Sequence, residues 1–161
     1  MPEDEYVQVL KRALIGRWSG WGRGIYPTID TFEYTEKLTF WDAKKPWLGV
    51  EQRTTRREDG SPLHSESGYL RFVGGTSVEM VMAHPFGSVE TYTGEAIYDA
   101  GQIEIGLVCR SVLSTPTARQ IGATERRITV SGEKLQYRFY MAIDELPLQL
   151  HLEAWLDRVE G

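Results

Sequence analysis

Three histidines, at positions 64, 84 and 151, are the chain's main candidates for proton transfer or metal binding. An imidazole can exchange a proton near neutral pH, or bind a metal ion through either ring nitrogen. None of the three belongs to a HExxH pair, and the sequence has no Gly-x-Ser-x-Gly elbow and no phosphate-binding loop. The sequence therefore gives no support to metalloprotease, serine hydrolase or nucleotide chemistry.

The local patterns around the histidines predict different surroundings. His151 lies in PLQLHLEAWLDRV, where alternate leucines form an apolar face and His151 falls on the opposite, polar face. This parity predicts an exposed side chain unless a β-bulge intervenes or other parts of the chain cover that face. His64 follows the turn-like DGSPL, and His84 opens the turn-like HPFG. Both are expected to be solvated residues that flank turns.

Composition and charge narrow the classes of protein. The 161 residues predict a single domain, residues 1–161. The 23 acidic and 18 scattered basic residues give a net charge of -5, which predicts no nucleic-acid partner. Cys109 is the only cysteine, which excludes intrachain disulfides and cysteine-clustered zinc sites and favours a reducing, cytoplasmic location. No secretory leader and no apolar run of about 20 residues is present, so no membrane association is expected.

The elements that must position these residues are mostly strands. Apolar residues at helical spacing predict one short helix over residues 4–14. After it, turn signals rich in glycine and proline recur about every 12 to 16 residues, as hairpin turns would. Many strands in hairpin order without crossover helices favour an antiparallel up-and-down β-barrel. A β-sandwich is the second choice.

Alternation within the strands indicates which face lies inside. Leu135, Tyr137, Phe139 and Met141 share one face of a predicted strand, and Glu36 interrupts a similar apolar face at 32–40. A third face, set by common parity, is shared by Val78, Met80, Met82 and His84. A barrel of about eight or more strands can enclose a small ligand, although the fold does not say which one.

A resemblance to the nitrobindins rests on six segments in the same order as in that family. Residues 16–22, GRWSGWG, match its Gly-x-Trp-x-Gly-x-Gly pattern. The others are GIYPTIDTFEYTEKLTF (24–40), KPWLGVEQRT (45–54), PLHSESGYLR (62–71), VEMVMAHPFGSVE (78–90) and PLQLHLEAWLDR (147–158). The resemblance covers nearly the whole chain.

This resemblance implies a ten-stranded antiparallel up-and-down β-barrel with a short N-terminal helix, holding one haem b per chain. It implies that His151 binds the iron, while the sixth coordination position stays open. It also places Thr28 beside the haem and puts Leu63, His64 and Met141 on the cavity wall. Arg119 stands where the family often has a lysine, and it is expected to pair with a propionate.

The nitrobindin resemblance further implies binding of nitric oxide and conversion of peroxynitrite to nitrate on ferric haem, with His151 as the catalytic residue. Some nitrobindin relatives carry a DNA-binding zinc finger, for which this sequence has no counterpart. Two alternatives remain open. One is a cofactor-free barrel that carries a fatty acid or another apolar ligand, and the other is a haem or nitric oxide sensor. The oligomeric state is left open.

Overall fold

The computed structural model describes residues 1–159, which form a helix followed by antiparallel strands. The elements, in chain order, are α1 Glu3–Leu14, β1 Gly16–Tyr26, β2 Ile29–Lys45, β3 Trp47–Arg56, β4 Pro62–Gly74, β5 Ser77–His84, β6 Ser88–Asp99, β7 Gln102–Cys109, β8 Leu113–Ser114, β9 Ile121–Ser131, β10 Lys134–Ile143 and β11 Gln149–Val159. Among these described residues, no helix is long and apolar enough to cross a membrane.

Ten long strands close into a barrel. Strands β1 to β7 pair in hairpin order, β7 pairs with β9, and β9, β10 and β11 continue the sheet. The pairing of β11 with β1 completes the ring, while the two-residue β8 adds only a short pairing to β6. Closure leaves none of the ten long strands as a free edge. The predicted up-and-down barrel is confirmed, and the sandwich alternative is wrong.

Helix α1 covers one end of this barrel. Its first turn is acidic and its last turn carries Lys11 and Arg12, an order that suits the helix dipole. Leu10 and Leu14 are buried in the same apolar cluster as the inward side chains of the strands. The Lys11 ammonium also donates a hydrogen bond of 2.8 Å to the carbonyl of Lys45 at the end of β2. The predicted short helix is therefore confirmed, and it fixes which end of the barrel stays open.

The glycine-tryptophan strand β1 combines close packing with large rings. Trp18 is 1% exposed and its indole N–H donates a 2.9 Å hydrogen bond to the Leu14 carbonyl, which joins β1 to the helix. At Gly22 a Cβ atom would lie 2.4 Å from the Tyr34 ring, so glycine is required for that ring to approach the backbone. The glycine thus positions Tyr34 inside the barrel, next to the cavity described below.

We predict that Leu14→Ala destabilises the chain by about 2–5 kcal/mol, because it opens a cavity where the helix meets the core. Chemical denaturation measures this loss as a lower midpoint. Gln8→Ala is the matched control, since Gln8 is exposed on the same helix and its loss is expected to cost less than about 0.5 kcal/mol. Equal stability of the two variants would contradict the packing of α1 on the barrel.

Candidate functional site

A cavity of about 280 Å³ lies inside the barrel at the end opposite α1. Its lining comes from the ends of strands that are remote from the helix, including the start of β4 and β11 and the end of β5 and β10. Four of the six residues that the family resemblance assigns to the haem site are on its wall, namely Leu63, His64, Met141 and His151, and so is the third histidine, His84. The barrel therefore brings together residues that are far apart in the sequence.

A β-bulge turns His151 toward this cavity. Phe139 of β10 pairs with Leu152 of β11, but the next residue, Tyr140, pairs with Leu150, so His151 is an extra residue in the ladder. As a result, His151 and Leu152 both line the cavity although they are neighbours in the strand. The exposed position that strict alternation predicts for His151 is wrong, because the bulge breaks the alternation.

The hydrogen bond of His151 leaves one ring nitrogen free. Its Nδ1 lies 3.1 Å from the carbonyl oxygen of Ile25 on β1. A carbonyl can only accept, so Nδ1 carries the proton and Nε2 keeps its lone pair. Burial lowers the pKa of His151 below its ordinary value of 6.5, against the opposing effect of the bond to Ile25. The ring is therefore neutral at pH 7, and no described residue hydrogen-bonds to its Nε2.

The wall around His151 is mostly apolar. The Tyr26 ring meets the imidazole edge-on at a centroid distance of 5.3 Å, and Phe139 is tilted against it at 6.2 Å. Met141 and Leu152 extend the same wall. These contacts hold the imidazole plane in place and surround it with apolar surface, which favours the neutral form of the ring over the charged form.

A polar cluster lies on the other side of the cavity. Strands β5 and β11 are five places apart in either direction around the ten-stranded ring, so they face each other across the barrel. His84, at the end of β5, has its Nδ1 3.1 Å from His64 Nε2, and its Nε2 hydrogen-bonds to Glu90. Glu66 accepts two hydrogen bonds from Arg126, of 2.6 and 3.0 Å. The group formed by these five residues is called the distal cluster below.

The two carboxylates of the distal cluster are ionised. Burial acts to raise their pKa, but the Arg126 guanidinium and the hydrogen bonds from the histidines outweigh it. The pKa of Glu90 falls to about 2, and that of Glu66 lies well below its usual range. Arg126 lies between them, 2.8 Å from a carboxylate oxygen of Glu90. The cluster therefore carries two negative charges beside a single permanent positive charge.

A further buried carboxyl group, that of Glu36, has its pKa shifted in the opposite direction. It is 1% exposed, accepts a hydrogen bond from the Tyr137 hydroxyl, and lies 3.1 Å from the amide nitrogen of Gln52. Burial raises its pKa to about 8, against the opposing effect of the hydrogen bond from Tyr137. Tyr34 joins this group through a 2.8 Å hydrogen bond to Tyr137. Glu36 is therefore mostly protonated at pH 7.

Two predicted haem contacts lie outside the cavity lining. Thr28 is exposed in the turn between β1 and β2. Arg119 is exposed in the connection before β9, where it forms a 3.1 Å ion pair with Asp144. The haem contact of Thr28 and the propionate contact of Arg119 stay predictions.

The sequence did not predict a role in the site for Glu36, Glu90, Arg126 or Tyr137. Glu36 carried a signal, because it stood at an inward position of an otherwise apolar strand face. Arg126 and Glu66 are 60 residues apart, and their pairing depends on closure of the whole barrel. No local pattern reveals such a pair.

Comparison with known proteins identifies relatives over nearly the full chain. Residues 9–158 match the family model of the THAP4-like, heme-binding beta-barrel domain. Peroxynitrite isomerase 2 of Mycobacterium marinum is 43% identical over 159 residues, covering 98% of this chain and 99% of that protein. Peroxynitrite isomerase 1 of Rhodococcus jostii is 40% identical over 157 residues, covering 98% of this chain and 87% of that protein.

A solved structure has the same fold. The crystal structure of Rv2717c from M. tuberculosis superimposes with a TM-score of 0.92 at 41% sequence identity, covering 96% of this chain and 97% of that one. The closed fold and the internal cavity with His151 on its wall place this chain among the ligand-binding β-barrels. The chain belongs to the THAP4-like haem-binding β-barrel family, and the family resemblance found in the sequence is confirmed.

We predict that Glu36 makes the chain less stable as the pH rises. Its pKa is raised from 4.5 to about 8 in the folded chain, so between these values the unfolded chain has lost a proton that the folded chain keeps. Its contribution to the free energy of unfolding should therefore fall by up to about 1.4 kcal/mol per pH unit in this window.

Denaturation of the wild type and of Glu36→Gln at pH 5 and pH 8 measures this effect. The variant should lose less stability than the wild type between the two pH values. Glu51→Gln, at an exposed position of β3, is the matched control and should follow the wild type. Parallel pH profiles for wild type and Glu36→Gln would contradict a protonated Glu36.

Proposed function

We propose that this chain binds haem b through His151 and isomerises peroxynitrite to nitrate. The observation that carries the proposal is the bulge at His151. It supplies a neutral imidazole on the cavity wall, and within residues 1–159 nothing hydrogen-bonds to its Nε2. Haem iron held by one histidine requires a ring of this kind. The names of the relatives, peroxynitrite isomerases 1 and 2, support the assignment of the reaction.

The surroundings of His151 fit haem better than a small hydrated ion. Phe139, Met141 and Leu152 offer apolar surface to a flat macrocycle beside the imidazole. The carbonyl of Ile25 holds the Nδ1 proton, which fixes the tautomer and makes Nε2 a better electron donor to iron. When bound, haem would supply the iron centre at which peroxynitrite is converted to nitrate.

The residues of the chain bind and orient the haem and its substrate. His151 would hold the haem on one side of the cavity, and the apolar wall around His151 would limit the entry of water. His64, on the wall across the barrel, lies beside the space where a small anion or nitric oxide would bind. Its side chain is 30% exposed, so it can contact both the cavity and solvent. We propose that it lines this space.

Several further features belong to the same proposal. We propose one haem per chain, a single domain over residues 1–161, and a cytoplasmic location. We also propose that the chain has no nucleic-acid and no membrane partner. The net charge of -5 and the scattered basic residues support the absence of a nucleic-acid surface.

We predict that the haem-free wild type binds one haemin with a Soret band typical of histidine ligation. In His151→Ala this band should be lost, and the affinity for haemin should be at least tenfold lower. Loss of a residue that only hydrogen-bonds to a metal ligand lowers metal affinity roughly 10- to 100-fold, and loss of the ligand itself should lower it by no less. His64→Leu is the matched control and should keep both the band and the stoichiometry. Unchanged haemin binding by His151→Ala would overturn the assignment of the ligand.

We predict that the haem-loaded wild type accelerates peroxynitrite decay and raises the share of nitrate among the products. Stopped-flow absorbance gives the rate, and ion chromatography gives nitrate and nitrite. A rate no higher than that of free haemin would contradict the proposed reaction. Saturable binding of a fluorescent fatty acid by both wild type and His151→Ala, without haemin binding, would favour the apolar-carrier alternative.

A further inference from the structure

Three ligand atoms of the distal cluster converge on one point. His64 Nε2 lies 3.1 Å from His84 Nδ1, and Glu66 Oε2 lies 3.3 Å from His84 Nδ1 and 3.7 Å from His64 Nε2. Two imidazole nitrogens and a carboxylate oxygen form a ligand set that suits first-row transition metals. The three residues come from two adjacent strands, β4 and β5, that pair directly.

The separations match those of ligands around one metal ion. Nitrogen and oxygen ligands bind such ions at about 2.0 to 2.2 Å, so two neighbouring ligands at tetrahedral or octahedral angles are about 3 to 3.5 Å apart. Two of the three separations are within this range, and the third exceeds it by only a few tenths of an ångström. Small side-chain rotations would bring all three atoms to one ion.

Outer contacts already orient the ligands. Glu90 accepts a hydrogen bond from His84 Nε2, which leaves the Nδ1 lone pair directed at the point of convergence. Arg126 holds the carboxylate of Glu66 through both oxygens, with hydrogen bonds of 2.6 Å to Oε1 and 3.0 Å to the ligand oxygen Oε2. A histidine whose second nitrogen bonds to a carboxylate is the usual arrangement at protein metal sites. Its presence distinguishes this cluster from a chance grouping of polar side chains.

The charge of the cluster calls for a further cation. The two carboxylates of Glu66 and Glu90 outnumber the one guanidinium of Arg126, and both carboxylate side chains are at most 6% exposed. A divalent ion that carries a hydroxide or another small anion would bring the cluster to neutrality. A single proton shared by the two imidazoles would do the same, and it is the competing explanation.

We propose that His64, His84 and Glu66 form a binding site for a divalent transition-metal ion, separate from the haem ligand His151. All three residues line the same cavity as His151, on the wall across the barrel. The open coordination positions of the ion face the cavity and take hydroxide or a small oxyanion. The site is built from the chain alone, so it stands whether or not haem binds.

The test is a titration of the haem-free, tag-free chain with Co²⁺, followed by its visible absorption and by competition with Zn²⁺. We expect one Co²⁺ per chain, displaced by Zn²⁺. His64→Leu should weaken Co²⁺ binding at least tenfold, because it removes one of the three ligands. The variant should still fold, since the His64 side chain is 30% exposed. Glu90→Gln, which keeps the shape of an outer contact, should weaken it about 10- to 100-fold.

His151→Ala is the control that separates this site from the proposed haem site. It should bind Co²⁺ as the wild type does, even though it loses haemin. Circular dichroism and denaturation midpoints of all variants verify that they are folded. Absence of saturable Co²⁺ binding by the wild type would overturn the metal site and favour the shared proton. Binding that is unchanged in both His64→Leu and Glu90→Gln would overturn it as well.

Discussion

The β-bulge in β11 is the constraint on which the function of this barrel depends. Without it, strict alternation would direct His151 outward and leave only leucines on that side of the cavity. One extra residue in the ladder places the imidazole on the cavity wall, and it also places Nδ1 within 3.1 Å of the Ile25 carbonyl. A single irregularity of the backbone therefore fixes the orientation, the tautomer and the burial of the proposed iron ligand.

The interior of the barrel has two chemically different ends. Toward α1 it is packed with apolar side chains such as Leu14 and Trp18, which stabilise the closed fold. Toward the open end it contains buried charge, and the opposite pKa shifts of Glu36 and Glu66 follow from their neighbours. Arg126 compensates Glu66 directly, whereas Glu36 has only neutral hydrogen-bond donors at short range and keeps its proton. Burial of polar and charged groups in the cavity lowers the stability of the fold, and the apolar packing at the α1 end offsets this loss.

The sequence predicted the architecture well because its signals are local. Turn residues and alternation identified the hairpins. The expectation that His84 is a solvated residue beside a turn is wrong, because the end of β5 directs its side chain inward, where it is 6% exposed. Parity failed at His151 because a bulge leaves little trace in the sequence. The pairing of Arg126 with Glu66 and of Tyr137 with Glu36 was not predictable either, since it joins strands that meet only when the barrel closes. The resemblance to a family, rather than the local pattern, singled out His151.

The most direct test of the central claim is a crystal structure of the chain loaded with haemin. The account predicts that iron binds Nε2 of His151, that Nδ1 keeps its hydrogen bond to Ile25, and that the bulge in β11 is retained. Iron bound instead by His64 or His84, or haem located outside the cavity, would contradict it.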